Sequence, residues 1–241
     1  MKSPVPFIAV LLYLCLHQTL AQELNQRIFT GTINGKIPIE LTLTTDGSVA
    51  FGRVIYTKKN LPITIVGSVE NGNLFLNELL PDGQVTGLYS AVLKDSTIKG
   101  TWMSPAVDAK TLLLDLVQKE QNQVSRPVVK SVTGNYVYFF GKNGSVGNMR
   151  VVQNKPDQIT VRFDNMTSAP ARNQAMVPKT VLKLIKNQAV YSSSEFGACK
   201  FTITFIENSA RVNYTDEAYQ CGFGNAATVT GNYIKIKTGA K

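Results

Sequence analysis

Cys199-Lys200-Phe201-Thr202-Ile203-Thr204-Phe205, the turn Glu207-Asn208-Ser209, and the return run Ala210-Arg211-Val212-Asn213-Tyr214-Thr215 form the stretch whose reading decides the fold. Cys199, Phe201, Ile203 and Phe205 alternate with Lys200, Thr202 and Thr204, the period of a half-buried strand. In the return run Ala210, Val212 and Tyr214 share one face and Arg211, Asn213 and Thr215 the other, so the segment reads as a hairpin. Cys221-Gly222-Phe223-Gly224 follows, and a Cys199–Cys221 disulfide would close the unit.

The pairing rests on what the rest of the chain makes of cysteine. Lys2, an apolar run over residues 6–16 and Thr19-Leu20-Ala21 are the three parts of a secretory signal peptide, with cleavage expected after Ala21. Cys15 inside that run leaves lipid anchoring as the alternative. Removal of the leader takes away Cys15 and the only histidine, His17. A chain without histidine has no Ser-His-Asp, Cys-His or histidine-ligated zinc site. The two cysteines that remain are most simply a disulfide in the oxidising periplasm or extracellular space. Closing such a loop stabilises by roughly 3 kcal/mol in the chain-entropy description. No later stretch has the roughly 18 apolar residues of a transmembrane helix.

Loss of Lys2 leaves 24 Lys and Arg against 16 Asp and Glu, a net charge of +8. Lys58-Lys59, the Lys179, Lys183, Lys186 series and Lys235, Lys237, Lys241 are the nearest approach to clusters. None is interleaved with aromatics as a single-strand nucleic-acid groove requires, so no nucleic-acid partner is expected and the positives read as solvated strand faces.

The polar run Lys119-Glu120-Gln121-Asn122-Gln123-Val124-Ser125-Arg126-Pro127 has no hydrophobic period and reads as a linker. It divides the chain into a leader (1–21), an N-terminal β domain (22–118), the linker (119–127) and a C-terminal β domain (128–241) carrying the disulfide. Alternating runs over 27–33, 37–45, 49–56, 63–69, 74–79, 85–93, 97–103 and 111–117 predict strands in the first part. Asn34-Gly35, Asp46-Gly47, Asn71-Gly72 and Asp82-Gly83 between them tolerate the positive φ of tight hairpin turns. About eight hairpin-joined strands describe a meander that closes into a small barrel, with an open curved sheet as the alternative. Trp102, the only tryptophan, is either a plug at one end of that core or a ligand-stacking side chain.

The second part opens on Thr133-Gly134-Asn135-Tyr136 and ends on Thr230-Gly231-Asn232-Tyr233, an internal echo expected of neighbouring first and last strands. Runs over 147–152, 158–163, 180–185 and 189–191 add strands, and 178–187 is ambiguous between strand and helix. The polar, proline-bearing stretch 164–178 exceeds a hairpin's needs and reads as a long loop, either functional or a passive crossover. The expected fold class is therefore all-β, two small antiparallel barrels or curved meanders in tandem.

Cys199-Lys200-Phe201-Thr202-Ile203-Thr204-Phe205, Cys221-Gly222-Phe223-Gly224, Gly231-Asn232-Tyr233-Ile234-Lys235 and the Ala169-Pro170-Ala171-Arg172-Asn173-Gln174-Ala175 loop resemble a group of uncharacterised secreted β proteins of Gram-negative bacteria. Gly31-Thr32-Ile33, Thr86-Gly87-Leu88-Tyr89 and Gly100-Thr101-Trp102 make the first half similar to a small β module of exported bacterial proteins. At the level of fold alone both halves are similar to calycins and to periplasmic lysozyme inhibitors, an analogy that carries no residues across.

The function expected is a non-catalytic binding protein of the cell envelope, its partner a protein or glycan. The candidate contacts are Arg172, Asn173 and Gln174 in the loop and Phe223 between its two glycines, unless Phe223 folds back into the core. A barrel carrier of a small apolar ligand is the alternative, and a carboxylate hydrolase a weaker one. No cofactor and no metal are expected. Asp216-Glu217 would face opposite ways on a strand, whereas glycoside hydrolysis needs two facing carboxyls. Glu40, Glu78, Asp157 and Glu195 read as isolated, solvated acids. Asn143, Asn165 and Asn213 sit in glycosylation-acceptor patterns, sugar sites in a eukaryotic host and chance matches in a bacterial one.

Overall fold

A computed structural model of the chain describes residues 23–106, 108–127, 129–215 and 220–237. The expected leader with Cys15, and the Asp216-Glu217 pair, lie outside the described residues. The regular structure among the described residues is strand throughout, and no helix is long and apolar enough to cross a membrane. Strands β1 (Glu23–Ile33), β2 (Ile37–Asp46), β3 (Val49–Tyr56), β4 (Pro62–Glu70), β5 (Asn73–Leu79), β6 (Val85–Lys94), β7 (Thr97–Met103) and β8 (Leu112–Ser125) close into one barrel in chain order. Strands β9 (Gly134–Phe139), β10 (Val146–Lys155), β11 (Gln158–Met166), β12 (Gln174–Ile185), β13 (Gln188–Ser193), β14 (Cys199–Ile206), β15 (Ser209–Tyr214) and β16 (Gly231–Ile236) close into a second. Every ladder is antiparallel, as hairpin connections require.

The alternation of each strand is what fills the barrels. In the first, Phe29, Leu41, Val54, Ile65, Leu74 and Leu116 are fully or almost fully buried, each contributing about 1.5–3 kcal/mol of apolar burial. In the second, Tyr136, Met149, Phe163, Phe201 and Tyr233 do the same, with the Phe163 and Phe201 rings meeting edge to face at 5.5 Å. The hairpin turns fall on the Asn-Gly pairs: Asn71 and Gly72, the two residues between the paired Glu70 and Asn73, take φ of 51° and 82°, the left-handed values a two-residue turn needs. The first barrel is sealed by β1 on β8, from Ile33 opposite Leu114 to Glu23 opposite Ser125. The internal echo seals the second: Ile234 lies opposite Val137 and Lys235 opposite Tyr136 across the β16–β9 seam.

Two expectations about boundaries are corrected. Residues 119–125 are not linker but the end of β8, paired with β1 through a bulge at Ile28/Phe29. Both faces of this extension are largely exposed, so it carries no apolar period to read. The connection between barrels is accordingly 126–133, and Arg126 anchors it to Asp46 at 2.7 Å. The stretch 164–178 is strand at both ends, β11 running to Met166 and β12 starting at Gln174, which leaves 167–173 as the loop. The ambiguous 178–187 is mostly β12, blurred by a bulge where Pro178 and Lys179 oppose Arg162.

The barrels share a packed face. Val49, Val66, Leu79 and Val85 of the first join the core cluster of the second. Gly83 accepts the Phe139 backbone N–H at 2.9 Å beside an isolated bridge between Gln84 and Phe139.

Candidate functional site

One end of the second barrel gathers the segments singled out in the sequence. The loop between β11 and β12 is folded on itself: Thr167 N–H donates to Asn173 O and Asn173 N–H to Thr167 Oγ1, both at 2.9 Å. Ala169 N–H reaches Asn143 O in the β9–β10 turn at 2.9 Å, and Arg172, at φ 49°, points its guanidinium to Gly144 O at 3.5 Å. Across from this loop, residues 220–230 run as a strap over the barrel mouth. The Cys199–Cys221 disulfide, with Cα atoms 4.7 Å apart, ties the strap to the start of β14, and Gln220 N–H donates to Ala198 O beside it at 2.9 Å.

Strap and loop meet at β12. Gly224 N–H donates to Gln174 O at 2.9 Å, and Asn173 Nδ2 donates to Asn225 O at 2.8 Å. The strap's return is pinned from below by Asn165, which is buried. Its Nδ2 donates to Thr228 O and to the Tyr233 hydroxyl, while its Oδ1 accepts the Asn148 N–H. The Asn165 acceptor pattern therefore has its asparagine inside the barrel.

Arg172, Asn173, Gln174 and Phe223 are thus brought to one place, in unequal roles. Asn173 is spent on holding the strap, Gln174 is exposed, and Phe223 is half-buried against the core. The aromatic that faces solvent is Phe196, 61% exposed on the β13–β14 connection. Gly222, at φ +67°, lies beneath it, and a Cβ there would come within 2.5 Å of the Phe196 ring. Sequence reasoning passed over Phe196; its signal is a lone aromatic in the small polar run Ser192-Ser193-Ser194-Glu195-Phe196-Gly197. Phe196, Tyr214, Gln220, Asn225 and Thr228 edge a groove of about 580 Å³. A rigid base, an exposed ring and amide groups at a barrel mouth can hold a ligand by stacking and hydrogen bonding.

Trp102 sits at the end of the first barrel, its ring half-buried against the core and its Nε1–H directed at Glu78 Oε1 at 3.2 Å. Glu78 is not solvated as expected but 1% exposed. The same oxygen accepts the Tyr56 hydroxyl at 2.6 Å and the Tyr89 hydroxyl at 2.5 Å, and Oε2 accepts the Thr86 hydroxyl at 3.1 Å. Desolvation, then the adjacent carboxylate, holds the Tyr89 and Tyr56 phenols well above their usual 10. Gly87 leaves room for the arrangement, since a Cβ there would fall 2.4 Å from the indole nitrogen and 2.6 Å from the Glu78 carboxyl carbon. Four donors on one buried acid make a closed polar plug. A second groove, about 1250 Å³, lies between the barrels past Asp82, Asn135, Arg150 and Lys235. Among the described residues no three His, Cys, Asp or Glu side chains converge as a metal site would need.

Comparison of the chain with protein-family models, with curated proteins and with solved structures gives no match in any of the three.

Proposed function

We propose that the chain is an exported, non-catalytic binding protein of the cell envelope that engages a protein or glycan at the strapped end of its second barrel. The observation that carries this reading is the joining of loop 167–173 to the 220–230 strap, with Phe196 exposed over Gly222 beside them. Binding segments are commonly loops held on a rigid scaffold, and here a disulfide supplies the rigidity. The resemblance to secreted β proteins of Gram-negative bacteria agrees with that setting. The carrier alternative gains no support from the barrel interiors, whose inward positions are taken by the protein's own side chains.

The test is affinity capture from envelope extract with the mature protein as bait, oxidised or reduced and alkylated, beside a Phe196→Ala bait. The reading expects a partner retained by the oxidised wild type and lost from both other baits. Retention unchanged in Phe196→Ala and after reduction, or no retention at all, refutes it.

A further inference from the structure

The charge of this protein is divided unevenly between its barrels. Residues 22–125 carry 9 Lys and Arg against 10 Asp and Glu, whereas residues 126–241 carry 15 against 6. The whole positive excess therefore belongs to the second barrel and its connection, and the strand register concentrates part of it on one outer face. Arg150 of β10 lies directly opposite Arg162 of β11, and Lys179 occupies the β12 bulge that faces Arg162. Four positions further along β11 and β12, Gln158 lies opposite Lys183. Like charges placed opposite each other on adjacent strands destabilise a sheet, a cost that a bound anion removes. Among the described residues Arg150, Lys179 and Lys183 enter no ion pair, and Arg162 has only Asp164 at 3.8 Å with both side chains about half exposed.

Between the basic rows runs an aliphatic one. Val152 (40% exposed) lies opposite Thr160, and Thr160 opposite Val181 (58%); Met176 and Ile185, each 55% exposed, continue the β12 edge on either side. Exposed aliphatics interleaved with cations suit an interface where headgroups are negative and acyl chains lie just beneath. A hydrophilic polyanion would leave those aliphatics idle, and single-stranded nucleic acid would need aromatic rings that this face lacks.

From this face we infer that the β10–β12 surface docks the protein peripherally on an anionic phospholipid bilayer. Arg150, Arg162, Lys179 and Lys183 meet the headgroups, while Val181 and Ile185 settle at the acyl boundary. This surface is distinct from the strapped end, which it leaves free for a partner.

Flotation of the mature protein with vesicles of phosphatidylcholine alone, or of phosphatidylcholine and phosphatidylglycerol at about 7:3, reads it directly. Each cation near such a surface is worth roughly fivefold in affinity. Binding is expected to the mixed vesicles only, to fall on adding salt, and to drop at least about twentyfold in Arg150→Glu/Arg162→Glu. Val181→Ser/Ile185→Ser should weaken it severalfold, while Lys58→Glu/Lys59→Glu on the first barrel and Phe196→Ala leave it unchanged. Far-UV dichroism and unfolding midpoints equal to wild type establish that the variants fold. The inference is overturned by equal binding to neutral vesicles, by no vesicle binding even if a sulfated polysaccharide is retained, or by a loss in the first-barrel variant as large as in the arginine pair. Because Phe196→Ala is silent here and decisive in partner capture, the two readings fail separately.

Discussion

Replacing Glu78 by alanine strips the acceptor from four donors at once, and its cost can be worked out group by group. The Tyr89 hydroxyl, on a side chain 3% exposed, has no water to turn to and loses about 2 kcal/mol. Tyr56, Trp102 and Thr86 are only partly buried, so hydration rescues much of each and about 0.5 kcal/mol apiece is the fitting charge. The total, about 3.5 kcal/mol, falls within the roughly 3–5 kcal/mol seen when one member of a buried charged network is removed. Glu78→Gln keeps the shape, and its amide can still accept the phenols and donate to Thr86 Oγ1. It loses only charge assistance, about 1–2 kcal/mol. Trp102 is the only tryptophan and touches the network itself, so its fluorescence reports unfolding at this end of the first barrel. With a urea slope of roughly 2 kcal/mol/M, the alanine midpoint should fall by about 1.5–2 M and the glutamine midpoint by less than about 1 M. An alanine variant within about 0.5 M of wild type, or a glutamine variant worse than alanine, would show that the carboxylate does not organise this end of the barrel.

The buried phenols make stability fall at alkaline pH. Desolvation raises Tyr138 to about 12 and places Tyr233 well above 10, so above pH 10 the unfolded chain gives up protons that the folded chain keeps. The unfolding free energy then declines with rising pH, by about 1.4 kcal/mol per pH unit per phenol, up to the folded value. Phenolate absorbance should therefore rise in one cooperative step together with loss of the strand dichroism, at roughly pH 10.5–12; smooth ionisation with the dichroism intact would contradict it. Reducing and alkylating Cys199 and Cys221 should destabilise the second barrel by about 3 kcal/mol and open the strap to protease near residues 222–226. Equal protease resistance before and after reduction would show that the strap's hydrogen bonds hold it without the sulfur link.

Most of the architecture was legible because strand alternation and turn chemistry agreed. Phe201, Ile203 and Phe205 face inward as their spacing predicts, and Asn71-Gly72 turns where its tolerance of positive φ allows. The repeated Gly-Asn-Tyr correctly marked the two strands that close the second barrel. What went unread lacks a periodic signal. The end of β8 is polar on both faces because it runs past the packed core, so Glu120 and Gln121 look like linker while they pair with Ile28 and Arg27 in a ladder. Glu78 looked solvated because an acid's partners are invisible in one dimension: Tyr56, Tyr89 and Trp102 come from three other strands. Similarly, the basic face exists only once register sets Arg150 against Arg162, twelve positions apart in sequence.

The β9–β16 seam bears on the order of assembly. The two edges that meet there are separated by nearly the whole length of the second barrel, so the join is a high-contact-order event with a large loop-closure cost. The first barrel is finished when β8 arrives, but in a chain emerging from its N-terminus β9 and β15 keep raw edges until the last strand is delivered. A chain cut short before Gly231 loses its closing stave, and with it the partner of both flanking strands, so a few missing residues at the tail cost the enclosure of the whole second barrel.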